Sequence, residues 1–294
     1  MNKWKGRSKG TILGYRIFVF CIRNLGVRSS YFVLYFVATY YSLFEKKSNQ
    51  YISYYFQKRL DYGFLKTKLS VFKSYFVFGK VLIDKTAISV GLRNRFTYEF
   101  DGIENLKTLL NDKKGGVLIS AHIGNFEIAE HFFADIDFDC QINLVTTDQE
   151  VTVIREYLES VTVKKSNIKF IYVKDDMSHI FEINQALSNN ELICFTGDRY
   201  FEGSKFIEAD LLGKTAKFPA GPFMIASRLC VPVVYVYVMK EKNLHYHLYA
   251  RVAQNIKNRD SQGLLNSYVQ NLESMLKIYP LQWFNYFDFW DDID

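Results

Sequence analysis

Gly115-Gly116-Val117-Leu118-Ile119-Ser120-Ala121-His122-Ile123-Gly124-Asn125-Phe126-Glu127 is the stretch from which the rest of the chain is read. Val117–Ser120 shows no polar–apolar alternation, so it predicts a strand buried on both faces. His122 falls just past the end of that strand. Asn125 stands where a side-chain oxygen caps a helix, which places a helix near Asn125–Ala134. On one continuous helix, His122 and Glu127 would lie about 140° apart. They meet only if His122 precedes the helix and Gly124 lets the loop fold back. A carboxylate that accepts from one imidazole nitrogen fixes the tautomer and leaves the other nitrogen as a base. That is the chemistry needed to deprotonate an attacking alcohol, and a helix N-terminus beside it would favour an oxyanion or a phosphate. Spacing alone leaves a plain structural role open for both residues.

Outward from this stretch, apolar runs alternate with helical patterns. Strands are expected near Val117–Ser120, Ile142–Thr146, Ile168–Val173, Leu192–Thr196, Val233–Met239 and His245–Val252. Helices are expected near Asn125–Ala134, Glu150–Val161, Met177–Leu187, Ala220–Leu229 and Gln262–Ile278. Strand–helix alternation implies an α/β fold: a mixed, mostly parallel sheet flanked by helices, with the last strand pair antiparallel. In such sheets chemistry gathers at the carboxyl ends of strands.

The first fifty residues differ from the rest. The net charge is +6, but residues 1–50 hold nine Lys and Arg against Glu45, a net of +8, so the remainder carries −2. Two apolar runs, Ile12–Ile22 and the uncharged Ser29–Phe44, lie among these basic residues. The second is roughly 24 Å long as a helix, against about 30 Å of hydrocarbon core. Basic residues flank it on both sides, which disfavours placing either end outside. Helices that lie in the cytoplasmic interface or re-enter from that side are therefore expected, with a single tilted span as the second reading and a soluble aromatic hairpin as the third. Phe and Tyr, 26 and 21 in number, suit either a bulky core or an interface where rings keep one wet edge. Residues 51–80 continue as an amphipathic helix through Phe56, Leu60, Phe64, Leu69, Phe72 and Phe76, weakest at Gly63. Basic charge confined to this terminus points to anionic lipid and away from nucleic acid.

The segment HIGNFE, His122–Glu127, resembles the HxxxxD/E signature of glycerolipid acyltransferases. In its HxGNxE form it resembles the lauroyl/myristoyl acyltransferases of bacterial lipid A biosynthesis. GDRYFEG at Gly197–Gly203, Leu211–Val234 with Pro219 and Gly221, and Pro280, Gln282 and Trp283 near the end match further blocks of that family in the right order. The resemblance implies a catalytic base at His122 oriented by Glu127, with Gly124, Asn125, Asp198 and Arg199 contacting substrate and Arg199 on a phosphate. It implies transfer of a fatty acyl chain from acyl carrier protein, or coenzyme A, to a hydroxyl of a lipid A precursor. It implies no metal and no cofactor beyond that acyl co-substrate, at the cytoplasmic face of the bacterial inner membrane. Residues 1–50 would be the membrane-associating segment and residues 51–294 the acyltransferase catalytic domain. Lys164 and Lys165 are candidates to dock the acidic carrier protein, and the Phe-rich segments 56–78 and 126–133 to line an acyl tunnel. Another lipid acceptor (a glycerolipid, an amino-acid lipid or a pigment-type lipid) is the nearest rival, followed by a membrane-binding scaffold without catalysis.

Other patterns fall away. Gly213-Lys214-Thr215 lacks the leading glycine of a phosphate-binding loop, since Glu208 stands five positions earlier. Cys21, Cys140, Cys194 and Cys230 have no CxxC spacing, and they read as buried thiols without a disulfide or a metal. His245 and His247 alternate on a predicted strand, where a surface strand outweighs a metal pair.

Overall fold

In the computed structural model, Gly116–Ser120 (β2) is buried at every position. The unbroken apolar run requires this, because both sheet faces are covered. The structure describes residues 12–111, 113–133, 140–146, 168–174, 176–200, 203–254 and 256–291. β2 pairs in parallel with Leu192–Thr196 (β5) on one side and Val233–Lys240 (β8) on the other. Ile142–Thr146 (β3) and Lys169–Tyr172 (β4) extend the sheet past β5, again in parallel. On the other edge β8 meets His245–Val252 (β9) antiparallel, and β9 meets Thr97–Asp101 (β1) in parallel. The order is β1-β9-β8-β2-β5-β3-β4. The fold is therefore the mixed, mostly parallel α/β sheet expected from the alternation, including the antiparallel last pair.

Three elements lie outside the expectation. β1 is one. A separate hairpin, Phe206–Leu211 (β6) with Lys214–Pro219 (β7), is the second. Its turn residues Leu212 and Gly213 have φ of 53° and 76°, the left-handed pair of a tight hairpin turn. Gly213-Lys214-Thr215 is thus hairpin, not phosphate loop. The third is the helix Ile103–Asn111. The helix expected over Glu150–Val161 lies outside the described residues, as do Lys164 and Lys165. The helix expected at Asn125–Ala134 is a 3-10 turn, Phe126–Ile128, followed by the four-residue Glu130–Phe133.

The helices number α1 (Ile12–Leu25), α2 (Val27–Phe44), α3 (Lys46–Tyr54), α4 (Phe64–Ala87), α5 (Ile103–Asn111), α6 (Glu130–Phe133), α7 (His179–Ser188), α8 (Ala220–Ala226) and α9 (Ser261–Ile278). One sheet face packs Leu264, Leu265, Leu272 and Leu276 of α9 with Ile183 of α7 and Phe223 of α8. The other packs Leu106 and Leu109 of α5, Ile83 and Ala87 of α4, and Leu34 of α2. α2 lies against α4 where Gly79 offers no side chain: a Cβ there would come 2.2 Å from Leu34 Cδ1. Residues 51–80 form not one helix but α3, a π-helical turn at Tyr55–Arg59 and then α4, with the break ending at Gly63. Their apolar stripe splits accordingly, Phe56 being in the core while Phe64 and Leu69 face outward.

Large apolar side chains are exposed on α2 and at the start of α4. Phe32 and Phe36 on α2, and Phe64 and Leu65 on α4, point outward, Leu65 being 81% exposed. Among the described residues, no helix is long and apolar enough to cross a membrane.

Candidate active site

β2 and β5 run side by side, with Ser120 opposite Thr196. Two residues further along each strand come His122 and Asp198, so the register itself brings them together. Gly197 N–H donates to the Ser120 carbonyl (2.9 Å), which keeps the two strand ends aligned beyond the ladder.

Three contacts shape the loop after β2. Gly124 adopts φ +62°, and a Cβ there would come 2.2 Å from the Val238 carbonyl oxygen of β8; only glycine fits without strain. Gly124 N–H donates to the Gln282 carbonyl (3.0 Å) and Asn125 N–H to the Val238 carbonyl (2.7 Å). The Gln282 amide in turn brackets Lys240: its Oε1 accepts from the Lys240 N–H (2.9 Å), and its Nε2 donates to the Lys240 carbonyl (2.7 Å). Phe284 N–H donates to the His122 carbonyl (2.9 Å). The Gln282-Trp283 pair picked out in the sequence is thus the clamp that holds the His122 loop against the end of β8.

His122 Nδ1 lies 2.7 Å from Asp198 Oδ1, and its backbone N–H, 3.1 Å from each Asp198 oxygen, donates to the same carboxylate. Asp198 is fully buried and also accepts from Trp283 Nε1 (3.2 Å) and Asn285 Nδ2 (3.0 Å). Burial works against its ionisation, but the His122 ring, the Arg199 guanidinium and the His122 backbone N–H outweigh it and hold the carboxyl well below the usual range. An ionised Asp198 accepts the Nδ1 proton, which leaves the lone pair on Nε2. The His122 side chain keeps 27% of its surface exposed, so the ring is open to solvent on one side and not sealed in. Burial and the nearby Arg199 charge lower its pKa from 6.5, opposed by Asp198 and Glu127. The neutral imidazole is the form present at neutral pH.

The other residues singled out in the sequence sit differently from expectation. Glu127 does not take an imidazole nitrogen: its carboxylate pairs with Lys85 of α4 and reaches His122 through its charge. The reason is geometric, because the 3-10 turn carries Glu127 toward α4 while Asp198 already fills the Nδ1 side of the ring. Asn125 occupies the cap position without capping, its Nδ2 donating instead to the Val81 carbonyl of α4 (3.1 Å). Among the described residues, His122 is followed by the 3-10 turn Phe126–Ile128 and then Glu130–Phe133, and the turn, not a regular α-helix, stands where the helix start was expected. Arg199 is turned inward: Nε donates to Asn285 Oδ1 (2.6 Å) and a terminal nitrogen to the Phe284 carbonyl (2.7 Å), with burial bringing its pKa down to about 10. Sequence reasoning missed Lys85 and Asn285, and it gave Asp198 to the substrate and not to His122. His245 and His247 lie beside Glu99 on a sheet edge, and no metal-holding cluster occurs among the described residues.

A buried carboxylate that sets the tautomer of an imidazole at the carboxyl end of a parallel sheet is an arrangement able to take up a substrate proton. Residues 74–290 match the family model of bacterial lipid A biosynthesis acyltransferases, which spans most of the chain, and the protein belongs to that family. It is thus an acyltransferase that acts on a lipid acceptor. No curated protein matches the chain.

Proposed function

We propose that the protein moves a fatty acyl chain from the thioester of acyl carrier protein to a hydroxyl of a lipid A precursor, at the cytoplasmic face of the inner membrane. The observation that carries this reading is the His122–Asp198 pair. His122 Nε2 takes the proton of the acceptor hydroxyl as its oxygen attacks the thioester carbonyl. The tetrahedral oxyanion collapses and expels the thiolate, and the imidazolium returns the proton to the sulfur. Asp198 holds the ring and stabilises the imidazolium; Glu127 adds negative charge from outside the hydrogen-bonded pair. A coenzyme A thioester would pass through the same steps.

An acyl chain needs an apolar channel near His122, and a small apolar cavity begins behind the His122 loop. Phe126 and Ala129, just after the His122 loop, close one side of this small cavity of about 40 Å³ whose other walls include Leu118, Cys194, Leu144 and Val238. Its wall is almost wholly apolar, but it is well below the size of an ordinary ligand site, so an acyl chain entering here has to widen it. Segment 126–133 thus contributes to it, while residues 56–78 do not line it.

Delivery of a lipid acceptor is supported by α4. Its start exposes Phe64 and Leu65, its middle packs against α2 at Phe72, Phe76 and Gly79, and its far end at Val81 and Lys85 touches the His122 loop. One helix, about 36 Å long, therefore runs from exposed apolar side chains, which suit a lipid interface, to the proposed base.

His122→Ala is the direct test. Transfer from acyl carrier protein to a lipid A precursor should fall by about 10²–10⁴ with the fold intact. Near-normal turnover in the folded variant removes His122 as the base.

A further inference from the structure

The acid of the His-x-x-x-x-Glu segment is not on the histidine. Glu127 is paired with Lys85, and both side chains remain 41% exposed. Lys85 is not there by chance approach of a flexible side chain. One turn earlier on the same helix, the Val81 carbonyl holds the Asn125 side chain (3.1 Å). One residue earlier, the fully buried Asp84 accepts from Tyr246 Oη (2.6 Å) and pairs with Lys240 Nζ (2.6 Å), which fastens α4 to β8 and β9. α4 thus grips both ends of Asn125–Glu127 from a fixed position.

We infer that Lys85 is a positioning residue for the reaction: it holds Glu127 off the imidazole and offsets its charge, and so sets the pH range in which His122 works as a base. This rests on His122 being the base proposed above. The other charged or titratable groups near His122 are Asp198 and Arg199 from the loop after β5. Behind them stand Tyr237 of β8, Tyr268 of α9 and Tyr286. None of these is changed by substituting Lys85. Without the ammonium, Glu127 either stays in place as an unbalanced charge or swings to the ring, and both favour the imidazolium.

The test is the acid limb of kcat/KM in the full-length enzyme, with the His122 ring titrated by NMR in parallel. Lys85→Met should move both upward by about half a pH unit or more, and Glu127→Gln should move both downward. The double variant should match Glu127→Gln, because Lys85 acts through Glu127, and Lys85→Arg should restore the wild-type profile. An unmoved limb and ring in Lys85→Met overturns the inference, as does a double variant that still shows the upward movement. The ring titration needs no turnover, so it decides the matter even if a variant is slow. If His122→Ala keeps activity, the base assignment fails on its own, separately from any result at Lys85.

Discussion

Asp198 is the residue on which the proposed chemistry turns, because it combines full burial with four N–H groups directed at one carboxylate. Asp198→Asn keeps the shape but can no longer fix the Nδ1 proton. The rate should drop by about 10²–10⁴ while KM changes little, measured as acyl transfer at saturating donor. A loss of less than threefold would separate Asp198 from the reaction. The pH dependence has a definite sign. His122 is lowered from 6.5 by burial and Arg199, so its neutral, active form survives below that value. The rate–pH profile should lose activity only as pH falls through the lowered pKa, and an acid limb above 6.5 contradicts this. At this scale the sequence revealed the imidazole but not its partner. Glu127 is near in the chain, whereas Asp198 is near only because β5 lies beside β2, and strand order is not written in a local pattern.

Among the elements, the β2 loop and α4 carry the most consequence. Gly124→Ala forces a Cβ into the Val238 carbonyl at a left-handed φ. It should cost about 1–3 kcal/mol in urea unfolding, and a loss below experimental error would show that the loop relaxes freely. Asp84→Ala leaves Lys240 buried without its carboxylate and should cost about 3–5 kcal/mol, with much of that recovered in the double variant that adds Lys240→Met. No recovery would mean Asp84 matters for reasons other than the pair. The central strands were legible because continuous apolar runs such as Val117–Ser120 and Val233–Met239 permit little else. β6 and β7 escaped because Leu212 occupies a left-handed turn position where asparagine or glycine would have announced a hairpin. β1 escaped because its pattern is that of a half-covered edge strand of five residues, too short to stand out. The amphipathic run 51–80 was legible as helix, but the π-turn at Tyr55–Arg59 divides its stripe between core and surface.

For the whole molecule, the arrangement is a sheet with His122 and Asp198 at one end, a small apolar cavity behind the His122 loop, and exposed rings on α2, against which α4 packs. Replacing Phe32 and Phe36 by Ser removes exposed rings and leaves the core untouched. Binding to vesicles containing anionic lipid should fall about tenfold or more, with the circular dichroism spectrum unchanged; equal binding would take the membrane role away from α2. The central claim is that a buried aspartate makes His122 a base through Nδ1, and the nitrogen-15 resonances of the His122 ring read this directly. The account predicts a proton on Nδ1, a bare Nε2 and titration below 6.5. A proton on Nε2 with Nδ1 bare, or a ring that titrates above 6.5, would contradict it.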